Sequence, residues 1–415
     1  MSRRLLTFSL IALLTCSFTT GIAHAQVESL HSSVEYTFGE LLFFKAYVQS
    51  DTAVIAAVIF FQADKDTRTN VGVAEVHDLG DGRYALGYVH RMSDYSIRPF
   101  STINYHWELT LEDGTTYVSS PEQKNYLDDR FPWKTMQKDI PQENNLVVHW
   151  YQGDLQFAQN ILDVADAGRE RIRDLLALPM PRGKLDIYVY PDPETMQTAL
   201  NPGSANWVAG YADPDLGVIL VALPEGPEQR LLIEQRVPHE LMHVLLYQWN
   251  PLGYANLPTW LNEGLASNAE LDPNPDYRIL LEDAAKKNGL IAIPKLCGSF
   301  PREAYGALLS YAEAASFVKY LRDSYGVSGL TALVTAYNNG LDCDRGAQLA
   351  LGKSLVQLER DWERDVLSQD VALKVFTNML PWIILLLAVL AAPLTLAVLR
   401  LRSRASDPAT SQQSG

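Results

Sequence analysis

The stretch that decides the fold of the C-terminal half is Val237-Pro238-His239-Glu240-Leu241-Met242-His243-Val244, followed by Pro258-Thr259-Trp260-Leu261-Asn262-Glu263-Gly264. Its first part carries the pattern H-E-x-x-H. Residues four apart on a helix share one face, so His239 and His243 can present two imidazoles to one ion. Glu263 follows the second His by 20 positions and adds a carboxylate. Imidazole and carboxylate ligands suit zinc, and a catalytic zinc site keeps a fourth position for water. We therefore predict that His239, His243 and Glu263 are metal ligands.

The sequence of this stretch resembles a known family. His239 to His243, together with Trp260 to Ala266, is similar to gluzincin zinc metallopeptidases, the clan of thermolysin and the M1 aminopeptidases. The spacing from His243 to Glu263 is of the thermolysin type, and the residues around Glu263 are closer to the M1 aminopeptidases. Taken together, the two motifs are most similar to the peptidase MA-like group. The resemblance covers about residues 145–370. It implies Zn²⁺ on the three predicted ligands and Glu240 as general base.

Hydrolysis of an amide also passes through an oxyanion that needs a hydrogen-bond donor. In related enzymes a Tyr or His supplies it, and Tyr311 is the candidate here. The alternative is that Tyr311, Ala315 and Val318 form an apolar stripe of a core helix. The hairpin over residues 207–221 precedes the zinc motif, where gluzincins place an edge strand that pairs with the substrate backbone. An ordinary sheet strand is the other interpretation of that hairpin.

Two departures from the family pattern affect the prediction. The chain lacks the G-x-M-E-N motif of M1 aminopeptidases, which captures a free substrate amine, so endopeptidase action is favoured. Pro238 stands where an aliphatic residue is usual, and either starts the helix or kinks it.

The functional prediction is a zinc-dependent metallopeptidase that hydrolyses peptide bonds in a peptide or protein substrate. One alternative is a non-catalytic cell-surface binding protein that uses its N-terminal β-sandwich and keeps the metallopeptidase fold as a relic. Another is a zinc hydrolase that acts on something other than peptides.

The two ends of the chain predict export and a membrane anchor. Residues 1–25 have a basic start, an apolar run and a small-x-small cleavage site, as in a signal peptide, with a retained anchor as the alternative. Residues 379–399 contain no charged side chain, and at about 1.5 Å per residue they are long enough to span a bilayer; a buried core helix is the alternative. Three arginines in the tail, residues 400–415, place that tail in the cytoplasm. The prediction is a single-pass type I protein of the cell membrane with an extracytoplasmic catalytic domain.

Charge and cysteine content narrow the class further. The chain has 34 Lys and Arg against 49 Asp and Glu, a formal net charge of −15, which disfavours a nucleic-acid partner. Cys297 and Cys343 are the cysteines that follow the predicted signal. A pair of exported cysteines without C-x-x-C spacing predicts a disulfide.

The order of predicted elements gives the fold class α+β. Residues 26–137 contain about seven short alternating strands, typical of a β-sandwich of the immunoglobulin or fibronectin type III kind. Three prolines punctuate residues 121–144, which suggests a linker. Residues 145–370 then form the metallopeptidase domain, with strands first and helices after them.

Overall fold

The computed structural model describes residues 27–200, 209–367, 376, 379–387, 389 and 391. The predicted signal peptide, the tail and part of the predicted span lie outside these residues. No helix within the described residues is both long and apolar enough to cross a membrane. The chain divides into two compact units, Met1–Asp128 and Asp129–Gly415.

The N-terminal unit is β-rich, as predicted. Its strands are β1 (Val27–Thr37), β2 (Leu41–Ser50), β3 (Val54–Ala63), β4 (Asn70–Gly80), β5 (Arg83–Arg91), β6 (Thr102–Leu111), β7 (Thr116–Val118) and β8 (Glu122–Asn125). They pair antiparallel in the order β1-β2-β5-β4-β3-β6-β7, with β8 also on β6. The long strand β4 pairs with β3 through its first half and with β5 through its second. Phe44 of β2 lies 4.7 Å from Phe61 of β3, ring centre to ring centre, so the two halves of the sheet pack face to face.

The second unit is built on a mixed five-stranded sheet. Its strands are β9 (Lys134–Lys138), β10 (Asn144–Trp150), β11 (Gly183–Tyr190), β12 (Gly210–Asp213) and β13 (Val218–Ala222). The order is β12-β13-β11-β10-β9, with β10, β11 and β13 parallel and the two outer strands antiparallel to their neighbours. Every residue of β13 is buried, as expected for a strand covered on both faces.

The boundary between the units differs from the one expected near residue 137. The division falls after Asp128, and β9 belongs to the second sheet through its pairing with β10. The sequence signal was weak because an outer strand with an exposed face can be polar, and Lys134, Gln137 and Lys138 make this strand read as a linker.

Between residues 155 and 362 the described part of the chain forms eight α-helices. They are α1 (Leu155–Leu175), α2 (Pro193–Gln197), α3 (Gln229–Trp249), α4 (Thr259–Ala269), α5 (Asp276–Lys286), α6 (Ala304–Asn338), α7 (Cys343–Leu351) and α8 (Leu355–Trp362). Asp154 caps α1 by accepting a hydrogen bond from the Phe157 N–H. Gly326, at φ 70°, interrupts α6 with a backbone conformation that glycine adopts readily. A β-rich region followed by a mainly helical one confirms the predicted α+β class.

A buried aromatic column joins α4 to α6 and α8. Trp260, Phe317 and Trp362 are all almost fully buried, with ring centres 5.0 and 5.7 Å apart. Beside it Cys297 and Cys343 form the predicted disulfide, with their Cα atoms 6.3 Å apart. The Cys297 carbonyl accepts a hydrogen bond from the Thr259 N–H at 3.1 Å, so the disulfide-linked segment contacts the first turn of α4.

Candidate metal centre

The three predicted ligands come together at the crossing of α3 and α4. Glu263 Oε2 lies 3.5 Å from His239 Nε2 and 3.7 Å from His243 Nε2. One ligand atom from each of the three residues lies within 4.8 Å of the others. The i, i+4 spacing on α3 therefore does what the sequence predicted, and the carboxylate of α4 faces both imidazoles.

These distances fit a zinc ion. With zinc bonds of about 2 Å, neighbouring ligands of a tetrahedral site lie about 3.3 Å apart. The carboxylate-to-imidazole distances in the structure exceed this by only a few tenths of an ångström.

The far nitrogen of each imidazole has its own acceptor. His239 Nδ1 lies 3.1 Å from Glu270 Oε1, and His243 Nδ1 lies 3.2 Å from Asn262 Oδ1. A proton on Nδ1 satisfies both acceptors and leaves each Nε2 lone pair directed at the centre, the tautomer that metal binding requires. Asn262 is fixed in turn because its Nδ2 donates to the Tyr254 hydroxyl at 3.2 Å.

No sequence pattern points to these supporting residues. Asn262 is part of the quoted stretch, immediately before Glu263, but nothing in the spacing marked it as the partner of an imidazole. Glu270 follows α4 and has no motif around it. Only the crossing of the helices shows that it reaches His239.

Pro238 takes part in placing Glu270. It lies inside α3 and not at its start, so of the two alternatives the one in which it begins the helix is wrong. A proline has no N–H to offer the carbonyl four residues back, and here that carbonyl belongs to Glu234. The Glu234 oxygen instead accepts from the Leu271 N–H at 2.9 Å. This bond ties the residue after Glu270 to α3, close to the imidazole that Glu270 supports.

Close packing of α4 on α6 sets the position of Glu263. A Cβ at Gly264 would collide with the Ala314 backbone and the Val318 side chain, so the two helices approach more closely than larger residues allow. Asn268 fastens the same pair, since its Nδ2 donates to the carbonyls of Gly264 and Ala315 at 2.7 and 2.9 Å.

Tyr311 of α6 faces the metal centre. Its hydroxyl interacts electrostatically with the Glu263 carboxylate, and its ring centre lies 6.3 Å from that of His239. Burial and the charges of Glu263 and Glu240 raise the pKa of Tyr311, so the hydroxyl keeps its proton. Tyr311 lines a cavity beside the centre, whereas Val318, further along the proposed stripe, is fully buried.

Burial and charge act on the acidic groups in opposite directions. Burial raises the pKa of Glu240, and the two imidazoles only partly offset that rise. For Glu263 burial also favours the neutral form, but His243 and His239 outweigh it and lower its pKa. His239 behaves in the complementary way, because Glu263 and Glu270 overcome the effect of burial and raise its pKa well above the ordinary value.

The cavity beside the centre has a volume of about 490 Å³. Its lining includes His239, Glu240, Glu270, Tyr277 and Tyr311. The start of β12 forms another part of the wall. A Cβ at Gly210 would overlap the Glu240 carboxylate, so the strand passes directly over that side chain.

β12 ends the described sheet on this side. The Ala222 N–H donates to the Ala209 carbonyl at 2.9 Å, and the register pairs Gly210 with Val221 and Ala212 with Ile219. Hydrogen-bonded pairs alternate along an antiparallel ladder, so Gly210 and Ala212 turn their N–H and C=O groups away from β13. This edge is the one that lies over Glu240.

Comparisons with curated proteins, solved structures and family models show what the chain is similar to. No curated protein matches the chain. A solved structure titled "Myokine structure" is 16% identical, with 23% of this chain and 92% of that chain covered and a TM-score of 0.18. Purple acid phosphatase PPD1 from yellow lupin (Lupinus luteus) seeds is 8% identical, with 39% of this chain and 29% of that chain covered and a TM-score of 0.21. Both TM-scores are too low to carry an argument.

The family comparison covers the centre itself. The model of the Peptidase MA superfamily matches residues 176–368, a span that includes α3, α4 and α6. This match supports a peptidase MA-like group for the part of the chain that holds His239, His243 and Glu263.

Proposed function

We propose that this protein is a zinc-dependent metallopeptidase that acts as an endopeptidase. The observation that carries the proposal is the convergence of two imidazole nitrogens and one carboxylate oxygen beside a cavity that Glu240 lines. His239, His243 and Glu263 would hold the ion. When bound, zinc supplies a water of lowered pKa and polarises a carbonyl.

Glu240 has the properties of the general base. Its carboxylate lies in the cavity wall next to His239, and burial raises its pKa toward the neutral range in which a base works well. It accepts a proton from the attacking water as the new C–O bond forms. It then gives that proton to the amide nitrogen as the C–N bond breaks.

Tyr311 and β12 serve the substrate. The Tyr311 hydroxyl stays protonated and faces the centre, so it can donate to the oxyanion of the tetrahedral intermediate. The outward N–H and C=O groups of Gly210 and Ala212 can pair with the backbone of an extended peptide, which would hold it across Glu240. The absence of an amine-capture motif favours cleavage within a chain.

The setting of the enzyme is also part of the proposal. We infer that the chain is exported by residues 1–25 and anchored by residues 379–399, with the catalytic unit outside the cell membrane. The N-terminal unit would be an immunoglobulin- or fibronectin-like sandwich, which the face-to-face packing of Phe44 and Phe61 supports.

The test is hydrolysis of a peptide library by the purified full-length protein, with Glu240→Gln beside it. We expect the variant to lose activity by about a thousandfold and to keep its zinc, because Glu240 is not a ligand. Glu228→Gln is the matched control, an exposed carboxylate at the start of the same helix, and should behave as wild type. Equal activity of wild type and Glu240→Gln, or zinc-loaded wild type without activity, would refute the proposal.

A further inference from the structure

The cavity wall includes an arginine side chain that has no role in the proposed mechanism. Arg236 lies one turn before Glu240 on α3 and lines the same cavity. One nitrogen of its guanidinium donates to the Ala222 carbonyl. A guanidinium has five N–H donors, and in the part of the chain that the structure describes this is the one hydrogen bond that Arg236 makes, without an ion pair.

A partly buried guanidinium with unused donors is a costly group to keep. Burial lowers the pKa of Arg236, and the charge of Glu240 opposes that effect only in part. A purely structural cation in such a place is normally paired with a carboxylate. Arg236 lines a cavity that a substrate would fill, and the fork geometry of a guanidinium matches a carboxylate in two hydrogen bonds.

The position of Arg236 relative to β12 indicates which side of the scissile bond lies near it in a bound substrate. Ala222, which binds Arg236, pairs with Ala209, the residue before β12 begins. Arg236 therefore lies near the amino end of that strand. A peptide that adds to β12 in the antiparallel direction runs toward this end with its own C-terminal side. With Glu240 under Gly210, the residues after the scissile bond pass Arg236.

We propose that Arg236 binds a carboxylate on the C-terminal side of the scissile bond, so that the enzyme prefers peptides with a negative charge there. The carboxylate can come from an Asp or Glu side chain of the substrate or from the substrate's own C-terminus. This inference rests on the proposed peptidase function and names a substrate class for it.

Cleavage of matched peptides separates the two sources. The first pair carries Asp or Asn after the scissile bond, both with an amidated C-terminus. The second pair carries Asn there and ends in a free or an amidated terminus close to the bond. The cleaved bond is identified by mass spectrometry. Wild type should cleave one charged member with a kcat/KM about tenfold above its neutral partner, and the pair that shows the preference identifies the source.

The variant Arg236→Gln should lose that preference. Its kcat/KM on the charged peptide should fall about tenfold, while that on the neutral peptide changes much less. Arg230→Gln is the control, since Arg230 lies on the same helix but is exposed and pairs with Glu234. An equal fall on charged and neutral peptides would mean that Arg236 acts on Glu240 alone, and would overturn the inference.

A binding measurement keeps this inference separate from catalysis. In the zinc-loaded Glu240→Gln background, the fluorescence anisotropy of labelled peptides reports affinity without turnover. The charged peptide should bind about tenfold more tightly than the neutral one, and Arg236→Gln should abolish the difference. If peptides bind with charge selectivity but the protein with Glu240 intact cleaves none of them, only the peptidase proposal is refuted. Cleavage or binding without charge selectivity would refute only the role of Arg236.

Discussion

Two groups of buried or partly buried carboxylates lie in the second unit, and they differ in what surrounds them. Glu263 and Glu270 face the imidazoles of His239 and His243 beside a cavity. Glu313 and Glu359 instead accept hydrogen bonds from backbone N–H groups, those of Ile291 and Ile293, at 2.8 and 2.7 Å. The first group meets groups that can carry positive charge and the second meets neutral donors.

The pKa values of the two groups record this difference. The pKa of Glu263 is lowered because two imidazoles outweigh its burial. Burial raises the pKa of Glu313 to about 8, since a single N–H offsets it only in part and the charges of Glu359 and Glu363 add to the rise. A buried carboxylate alone therefore does not mark a reactive site. The converging imidazoles and the open cavity do.

Crowding the wall above Glu240 should have a larger effect than changing a supporting carboxylate in either group. In Gly210→Ala the added methyl group overlaps the Glu240 carboxylate, so either β12 or the general base must move. A displacement of about 1 Å at a catalytic group can cost about a hundredfold in rate. We expect kcat/KM for a peptide substrate to fall by about that factor while zinc content is unchanged, as measured by steady-state kinetics and metal analysis.

Gly298→Ala is the matched control, because a Cβ there meets no atom within 4 Å. It should retain wild-type activity. Full activity in Gly210→Ala would show that Glu240 has room to spare and that the close approach of β12 does not matter.

Removing the charge behind His239 should have a smaller effect. Glu270→Gln leaves a side chain of the same size but replaces the carboxylate that holds Nδ1. Outer partners of this kind are worth about ten- to hundredfold in metal affinity, so we expect the zinc dissociation constant to rise by about tenfold. Competition with a chromogenic chelator measures it. An unchanged constant would mean that a neutral side chain supports His239 as well as a carboxylate does, just as Asn262 supports His243.

The second carboxylate group should affect stability and not metal binding. The pKa of Glu313 is higher in the folded chain than its ordinary 4.5, so its contribution is present in full below about 4.5 and is lost as pH rises through about 8. The loss has a slope of up to about 1.4 kcal/mol per pH unit. In Glu313→Gln this part of the slope should disappear, as measured by urea unfolding at pH 5, 6, 7 and 8.

The comparison depends on that variant keeping its zinc. A Glu313→Gln protein with the same pH slope as wild type would place the titrating group elsewhere. Loss of zinc from the Glu313→Gln protein would show that the second carboxylate group also supports the metal centre.

The convergence of His239, His243 and Glu263 could be predicted from the sequence because its signal is local. His239 and His243 share a helical face by periodicity, and Glu263 stands at a spacing that has a known use in zinc sites. The alternation within residues 26–137 and the hairpin signal over residues 207–221 likewise predicted strands in both units. β9 was missed because its polar residues suit a solvent-facing edge as well as they suit a linker.

The residues around the ligands could not be predicted because their partners are distant in sequence. Glu270 reaches His239 only through the crossing of α3 and α4, and the crossing depends on contacts such as Gly264 on Ala314. Pro238 has no N–H for the Glu234 carbonyl, and the Leu271 N–H donates to that carbonyl instead. No sequence pattern connects Leu271 with Glu234. The position of Tyr311 against the cavity depends on the packing of α4 against α6.

The most direct test of the central claim is the zinc content of the purified full-length protein, measured by mass spectrometry after removal of loosely bound metal. We predict about one zinc per wild-type chain, the same for Glu313→Gln, and almost none for His243→Ala or Glu263→Ala. Folded wild-type protein that takes up no zinc, or His243→Ala protein that retains it fully, would contradict the account.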